Sequence, residues 1–263
     1  MKLRLLDKKL DMKSKRFVTA VKTAPQKKDT QSLSKVFSSI ILLCDTPGYR
    51  MKSYGPSSLL QLKNNKKLLD TQIESIQKHF ANFEIILCCG FDTDKICKYI
   101  RSEYKTLNIR IVENQIFNQT NSCESIRLAL NNTNNDKVFI CDGSIYFTPD
   151  LFKQYDSKVS SVFIETKDKD GFEIGLNTNE LNRVEHFSFG AKYIWSEIVY
   201  LSNHDIIDGL RKLLSNTEYK NKFIFEALND LLQTKFDLVA IKNKSKLQKI
   251  NNIKVYHHFR NRL

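Results

Sequence analysis

The chain has few residues that break secondary structure, and it has no long apolar run. Among its 263 residues are 8 glycines, 4 prolines and 1 tryptophan. No run approaches the roughly 18 apolar residues of a membrane span, and the first residues lack the apolar core and cleavage site of a secretory signal. The 6 cysteines show neither paired Cys-x-x-Cys motifs nor histidines at zinc spacing, which argues against a zinc site. We therefore expect free thiols in a reducing, cytoplasmic compartment and no contact with a membrane.

Positive charge is concentrated at the two ends of the chain. The net charge is +13, residues 1–35 carry eleven Lys or Arg against three Asp, and residues 241–263 carry seven Lys or Arg and no acid. This distribution predicts a basic N-terminal arm and linker (1–35), a main domain (36–240) and a basic C-terminal segment (241–263). Such ends suit a polyanion or an acidic protein assembly, although they could equally serve only to keep the chain soluble.

From residue 36 onward, short apolar runs alternate with segments of helical periodicity. Strands are predicted at 40–44, 83–89, 109–112 and 138–141, with helices between them at 68–80, 93–104 and 123–130. This alternation predicts an α/β fold with a Rossmann-like, mostly parallel sheet and helices on both faces. Beyond residue 150, shorter strands at 159–165, 172–176 and 183–189 predict a small antiparallel extension, followed by helices at 205–214 and 223–232. Ligands of such sheets bind at the carboxyl ends of the strands.

Four motifs follow one another along this pattern. After the first strand the chain reads Thr-Pro-Gly-Tyr-Arg-Met from Thr46, and then Pro-Ser-Ser-Leu-Leu from Pro56. The second strand ends in Gly-Phe-Asp from Gly90, and a later stretch from Asn114 contains Thr-Asn-x-x-x-Ser. The fourth strand ends in Asp-Gly-Ser from Asp142. In this order the motifs resemble the nucleotidyltransferases of the glycosyltransferase-A-like fold, the group of sugar-phosphate and phosphocholine nucleotidylyltransferases.

The resemblance implies charged residues that this chain does not have. It implies a lysine where Ser57 stands, and metal-binding aspartates where Ser144 and Asn251 stand. It also implies that a nucleotide or sugar phosphate would be bound by residues spread over the motifs, namely Gly48, Arg50, Gly90, Asn121 and Ser125. No metal ligands are assigned.

Transfer of a nucleotidyl group needs cations beside the phosphates, and Mg²⁺ needs carboxylates to hold it. Because the lysine and both aspartates are replaced, we expect a degenerate catalytic site that needs no cofactor, in a protein that serves as a binding or structural module. Asp142 and Lys52 lie close enough in sequence to replace a missing carboxylate and ammonium. The alternative interpretation is therefore an active, Mg²⁺-dependent nucleotidylyltransferase that makes an activated sugar or choline-type product.

The composition suggests a setting for a degenerate enzyme with basic ends. The chain is rich in Lys and Asn and poor in Gly, which is typical of an AT-rich genome. A viral accessory or virion-associated protein fits this combination, with a protein assembly or a polyanion as its partner.

Overall fold

The structure is a computed structural model that describes residues 37–166 and 173–263. The basic arm and linker predicted for residues 1–35 lie outside the described residues.

A parallel core of four strands forms one half of the central sheet. These strands are β1 (Ser38–Cys44), β2 (Phe83–Cys89), β3 (Ile109–Glu113) and β4 (Val138–Asp142). Strand β1 lies between β2 and β4, and β3 follows β2 at the edge, with all three pairings parallel. Their apolar runs are buried on both faces, as expected of strands covered by helices on either side. The parallel sheet predicted from the sequence is confirmed.

The other half of the sheet is mostly antiparallel. It contains β6 (Ser161–Glu165), β7 (Ile174–Thr178), β8 (Val184–Phe189), β9 (Tyr193–Leu201) and β10 (Val239–Lys242). Strand β9 joins the two halves because it pairs antiparallel with both β4 and β6. A separate antiparallel pair is formed by β5 (Ile145–Phe147) and β11 (Leu247–Lys249). The sequence analysis predicted the antiparallel extension but not β5, β9, β10 or β11.

Helices cover both faces of the sheet. They are α1 (Leu68–His79), α2 (Thr93–Glu103), α3 (Ser122–Leu130), α4 (His204–Leu214), α5 (Ile224–Leu232) and α6 (Ile253–Arg262). Successive side chains of β1 point to opposite faces, so Ile40 packs with α1 and α2 whereas Ile41 packs with α3, α4 and α5. The predicted fold class, with helices on both faces, is thereby confirmed.

Residues 241–263 pack on the domain as regular structure. The boundary proposed after residue 240 falls inside β10, and the segment continues through β11 into α6. Tyr256 and Phe259 of α6 belong to a third apolar cluster, together with residues that follow β1: Met51, Leu60, Leu62 and Leu68. Five of the seven basic residues of this segment therefore stand on strands or on α6, Lys244 and Lys246 lie in the loop between β10 and β11, and α6 packs against the loop that follows β1.

Replacing Phe259 by Ala should test how far α6 stabilises the domain. Phe259 is 6% exposed, and removing a buried phenyl ring typically costs about 3 kcal/mol. We expect F259A to lower the free energy of unfolding in urea by about that amount. The matched control is R260A, at the neighbouring exposed position, which should change it by less than about 0.5 kcal/mol. Equal effects of the two variants would contradict the packing role of α6.

His79, at the end of α1, should make the fold sensitive to acid. Burial among Phe80, Phe152 and Tyr155 lowers the pKa of His79 to about 4, and nearby Lys153 adds to the effect. An unfolded histidine titrates near about 6.5, so the unfolded state binds more protons between about pH 6.5 and 4. Stability should therefore fall as the pH falls through this window.

Because His79 is only partly buried, we expect the loss to be about 1 kcal/mol rather than the full linkage value. Urea unfolding at several pH values checks this, with H79Q as the comparison. If wild type and H79Q lose stability equally between pH 6.5 and 4, His79 is not the cause.

Candidate functional site

The loop after β1 begins at the carboxyl end of the parallel strands, where ligands of such sheets bind. Gly48 lies at its tightest point. A Cβ atom there would come within 2.6 Å of the Met51 sulfur and 3.0 Å of the Asn251 carbonyl oxygen. A side chain at position 48 would therefore collide with the backbone that leads into α6. The glycine allows the C-terminal segment to lie directly on the loop.

The backbone amides of this loop are already hydrogen-bonded within the protein. The Gly48 amide donates to Ser57 Oγ at 3.0 Å, and the Tyr49 amide donates to the Asn251 carbonyl at 2.8 Å. The Met51 amide donates to the Gly48 carbonyl at 3.0 Å. In loops that hold phosphates, such amides point towards the anion. In this loop, three backbone amides instead donate hydrogen bonds to acceptors within the protein.

A cleft of about 450 Å³ opens beside this loop. Its lining comes from the loop, from the end of β4 and from the C-terminal segment, and is rich in hydroxyl and amide groups: Leu43, Cys44, Thr46, Pro47, Gly48, Tyr49, Ser57, Ser58, Asp142, Gly143, Ser144, Lys249, Asn251 and Asn252. Gly48 and all three positions where the resemblance implied charged residues are among them. The structure thus brings Ser57, Ser144 and Asn251 together in one cavity.

Asp142, the last residue of β4, is turned towards its own chain. Its Oδ1 accepts hydrogen bonds from the Ser144 amide at 2.7 Å and from the Ser144 hydroxyl at 2.6 Å. One carboxylate oxygen is therefore engaged by the serine that replaces the expected aspartate.

Lys249 lines the cleft and is paired with Glu197, and the sequence analysis assigned a role to neither. The Lys249 ammonium, at the end of β11, forms an ion pair with Glu197 Oε1. Glu197 lies in an irregularity of β9, with φ of 55°. Between two successive rungs with β6, β9 advances from Trp195 to Val199 while β6 spans only Val162 to Ile164. Glu197 lies in this bulge and reaches the Lys249 ammonium from it, and a left-handed non-glycine residue costs on the order of 1 kcal/mol or more.

The carboxylates of Glu197 and Asp142 both act on Lys249. Burial alone would lower the pKa of Lys249, but its attraction to Glu197 and then Asp142 outweighs burial, so the pKa is raised. Burial raises the pKa of Glu197, Lys249 opposes this, and the neighbouring Asp142 raises it further. Lys249 is thus a charged ammonium at neutral pH, held beside the acidic groups of Glu197 and Asp142.

Comparison with known proteins now places the architecture. No sequence profile of a known family matches the chain, and no curated protein matches it in sequence. Among solved structures, CTP:phosphocholine cytidylyltransferase from Streptococcus pneumoniae is similar with a TM-score of 0.69 and 18% identity, covering 86% of this chain and 98% of that chain. The chain has the nucleotidyltransferase fold.

Two further solved structures agree. The inositol-1-phosphate CTP transferase from T. maritima gives a TM-score of 0.65 at 16% identity, over 84% of this chain and 94% of its own. A UDP-glucose pyrophosphorylase complexed with UDP-glucose gives 0.67 at 14% identity, over 86% and 98%. The resemblance drawn from the four motifs is confirmed at the level of the fold.

The two basic residues of the nucleotidyltransferase loop do not line the cleft. Arg50 has φ of 57° and is exposed, with its guanidinium carbon 5.0 Å from the centre of the Tyr49 ring. Lys52, suggested as a replacement ammonium, begins a short exposed 3-10 turn. The cation in the cleft lining is instead Lys249.

Three other predicted ligand-binding residues make contacts within the protein. Ser125 is fully buried, where its hydroxyl donates to Asp45 and accepts from the Asn114 amide at 2.9 Å. Asn121 donates its side-chain amide to the Asn221 carbonyl at 2.6 Å. A Cβ at Gly90 would meet Phe117 at 2.7 Å. Ser125 and Gly90 thus lie where the loops after β1, β2 and β3 meet, Asn121 contacts the segment before α5, and none of the three is among the residues that line the cleft.

The residues in the cleft do not fit a divalent metal ion. Asp142 Oδ1 is engaged by Ser144, Glu197 is paired with Lys249, and the remaining side-chain oxygens of the lining come from hydroxyl and amide groups. Mg²⁺ requires near-octahedral oxygen ligands, commonly with carboxylates among them. Within residues 37–166 and 173–263, no group of three or more His, Cys, Asp or Glu side chains is placed to hold a metal.

The remaining chemistry of the cleft is also limited. Burial raises the pKa of the Cys44 thiol to about 12, so this cleft residue stays protonated and is a poor nucleophile at neutral pH. All six cysteines are free. In the described part of the chain, none of the helices is long and apolar enough to cross a bilayer.

The adjacent serines Ser57 and Ser58 allow a matched test of the loop. Both are buried, but Ser57 accepts the Gly48 amide whereas the Ser58 hydroxyl has, among the described residues, at most a weak contact with the Cys44 thiol. We expect S57A to lower the free energy of unfolding by about 1 kcal/mol, since it leaves a backbone donor unpaired. S58A should be neutral or stabilising. Urea unfolding of both variants checks this, and a larger loss for S58A would contradict the assigned hydrogen bonding.

Proposed function

We propose that this protein is a nucleotidyltransferase-fold binding module that has lost nucleotidyl transfer. The observation that carries the proposal is the content of the cleft: its one lysine, Lys249, is paired with Glu197, and Ser57 occupies the position of the expected lysine while capping the Gly48 amide. Transfer of a nucleotidyl group needs free positive charge on the phosphates. In this cleft the Lys249 ammonium is already paired with Glu197 and is not free to neutralise a phosphate.

The size of the effect supports the same conclusion. Removing one preorganised charged or hydrogen-bonding group from such a site typically slows a reaction by about 10²-fold or more. Ser57, Ser144 and Asn251 replace three such groups, and Arg50 stands outside the cleft lining. Even with partial additivity, the loss of three such groups should leave little activity.

The cleft remains suited to a polar ligand. Hydroxyl and amide groups from Thr46, Ser57, Ser58, Ser144 and Asn252 line about 450 Å³ of space. Such groups recognise sugar hydroxyls and phosphate or nucleobase edges without catalysing their reaction. A nucleotide or sugar phosphate is the ligand class we propose, and the proteins of the same fold named above include one complexed with UDP-glucose.

The basic ends extend the proposal to a second partner. Residues 1–35 carry a net charge of +8, and residues 241–263 carry +7. We propose that these ends bind a polyanion or an acidic protein assembly, and that the protein is an accessory component of that assembly, as in a virion.

The catalytic part of the proposal is tested by pyrophosphate release. The protein is incubated with each nucleoside triphosphate, Mg²⁺, and phosphocholine or a panel of sugar 1-phosphates. We expect no release above that of D142N, which serves as the control for contaminating enzymes because it removes the carboxylate at the end of β4. The pneumococcal cytidylyltransferase assayed in parallel is the positive control.

Sustained release by the wild type, absent from D142N, would refute the proposal. It would instead support an active, Mg²⁺-dependent nucleotidylyltransferase.

The polyanion part is tested by deleting residues 1–35 and measuring heparin affinity over a salt series. Each released counterion adds to the slope of log K against log salt concentration, so removing eight net positive charges should flatten this slope and weaken binding at low salt by about tenfold or more. R260A/R262A probes the C-terminal segment in the same assay. Unchanged affinity and slope after the deletion would remove the N-terminal arm from the binding surface.

A further inference from the structure

The position of Lys249 in the cleft is set by the pairing of β11 with β5 and by a backbone hydrogen bond to Ser144, just after β4. Strand β11 pairs with β5 so that Lys249 lies opposite Ile145, and the next residue, Ile250, donates its amide to the Ser144 carbonyl at 2.9 Å. The lysine is therefore delivered to the end of β4 by regular backbone pairing. Its position is fixed by the same hydrogen bonds that hold Ser144.

The partner of Lys249, Glu197, comes from strand β9. Strand β9 runs antiparallel to β4, and its bulge turns Glu197 out of the regular alternation of the strand. The backbone at Glu197 is left-handed, a conformation that disfavours side chains. An acidic residue held in such a conformation indicates that its carboxylate is required at that place.

The Lys249 ammonium thus takes the place that a metal ion has in a nucleotidyltransferase. Two acidic groups, Asp142 and Glu197, converge at the end of β4, and the cation between the loop and these groups is the Lys249 ammonium. A divalent ion added here would sit against a fixed positive charge and would have to displace an existing ion pair.

We propose that Lys249 is a tethered cation that replaces the divalent metal ion of the fold, so that the cleft excludes metal and binds its ligands without it. The proposal rests on the proposed function, since it concerns the same cleft. It differs in what it claims: the binding of metal, and not the rate of transfer.

Titration with Mn²⁺ followed by electron paramagnetic resonance tests this directly. Wild type should bind Mn²⁺ only at nonspecific surface sites. K249M leaves Asp142 and Glu197 without a cation, and the oxygens of Ser144 and Asn251 lie in the same cleft. We expect this variant to gain one Mn²⁺ site, at least about tenfold tighter than any in the wild type.

Two variants serve as controls. K244M removes the same charge from an exposed position of the same segment and should bind Mn²⁺ as the wild type does. D142N/K249M removes one of the two carboxylates and should lose the new site. A tight Mn²⁺ site in the wild type, or no gain in K249M, would overturn the proposal.

The uncompensated carboxylates could prevent K249M from folding. In that case the variant is refolded in Mn²⁺ and in Na⁺ of equal ionic strength. Folding only with Mn²⁺ supports the proposal, and failure in both overturns it.

The two proposals fail separately. Pyrophosphate release without a Mn²⁺ site in the free protein overturns the proposed loss of catalysis alone. A wild-type Mn²⁺ site without pyrophosphate release overturns the tethered cation alone.

Discussion

The backbone hydrogen bond from the Tyr49 amide to the Asn251 carbonyl is the contact on which the site depends. It joins the loop after the first strand to a segment two hundred residues later, and it is possible because Gly48 has no side chain to hold the two backbones apart. The loop is closed over its own amides, and Lys249 is held two residues before the contact. The same backbone hydrogen bond therefore helps to set both the shape of the cleft and the position of Lys249.

The charged side chains at the end of β4 are paired with one another within the protein. Asp142 and Glu197 carry the acidic charge, Lys249 offsets it, and hydroxyl groups occupy the remaining positions. A phosphate ligand would have to compete with the existing Lys249–Glu197 contact for the ammonium.

Much of the fold could be predicted from the sequence, and particular elements explain where prediction stopped. The strand at Phe83–Cys89 and the helix from Thr93 follow directly from apolar runs and helical spacing. Strand β9 was missed because Ser196 and Glu197 interrupt its apolar pattern at the bulge, and α6 because its charge suggested a basic tail.

The site was only partly predictable for a related reason. Local motifs identified Ser57, Ser144 and Asn251, but the Lys249–Glu197 pair depends on a register shift between distant strands, which no local pattern records. That shift has a consequence of its own. Since β9 carries two more residues than β6 between the same paired positions, the number of residues in this stretch of β9 determines where Glu197 lies, and so does their sequence. Losing a single residue there would change the register between β6 and β9 on one side of the bulge and move Glu197 relative to Lys249, with every remaining residue unchanged.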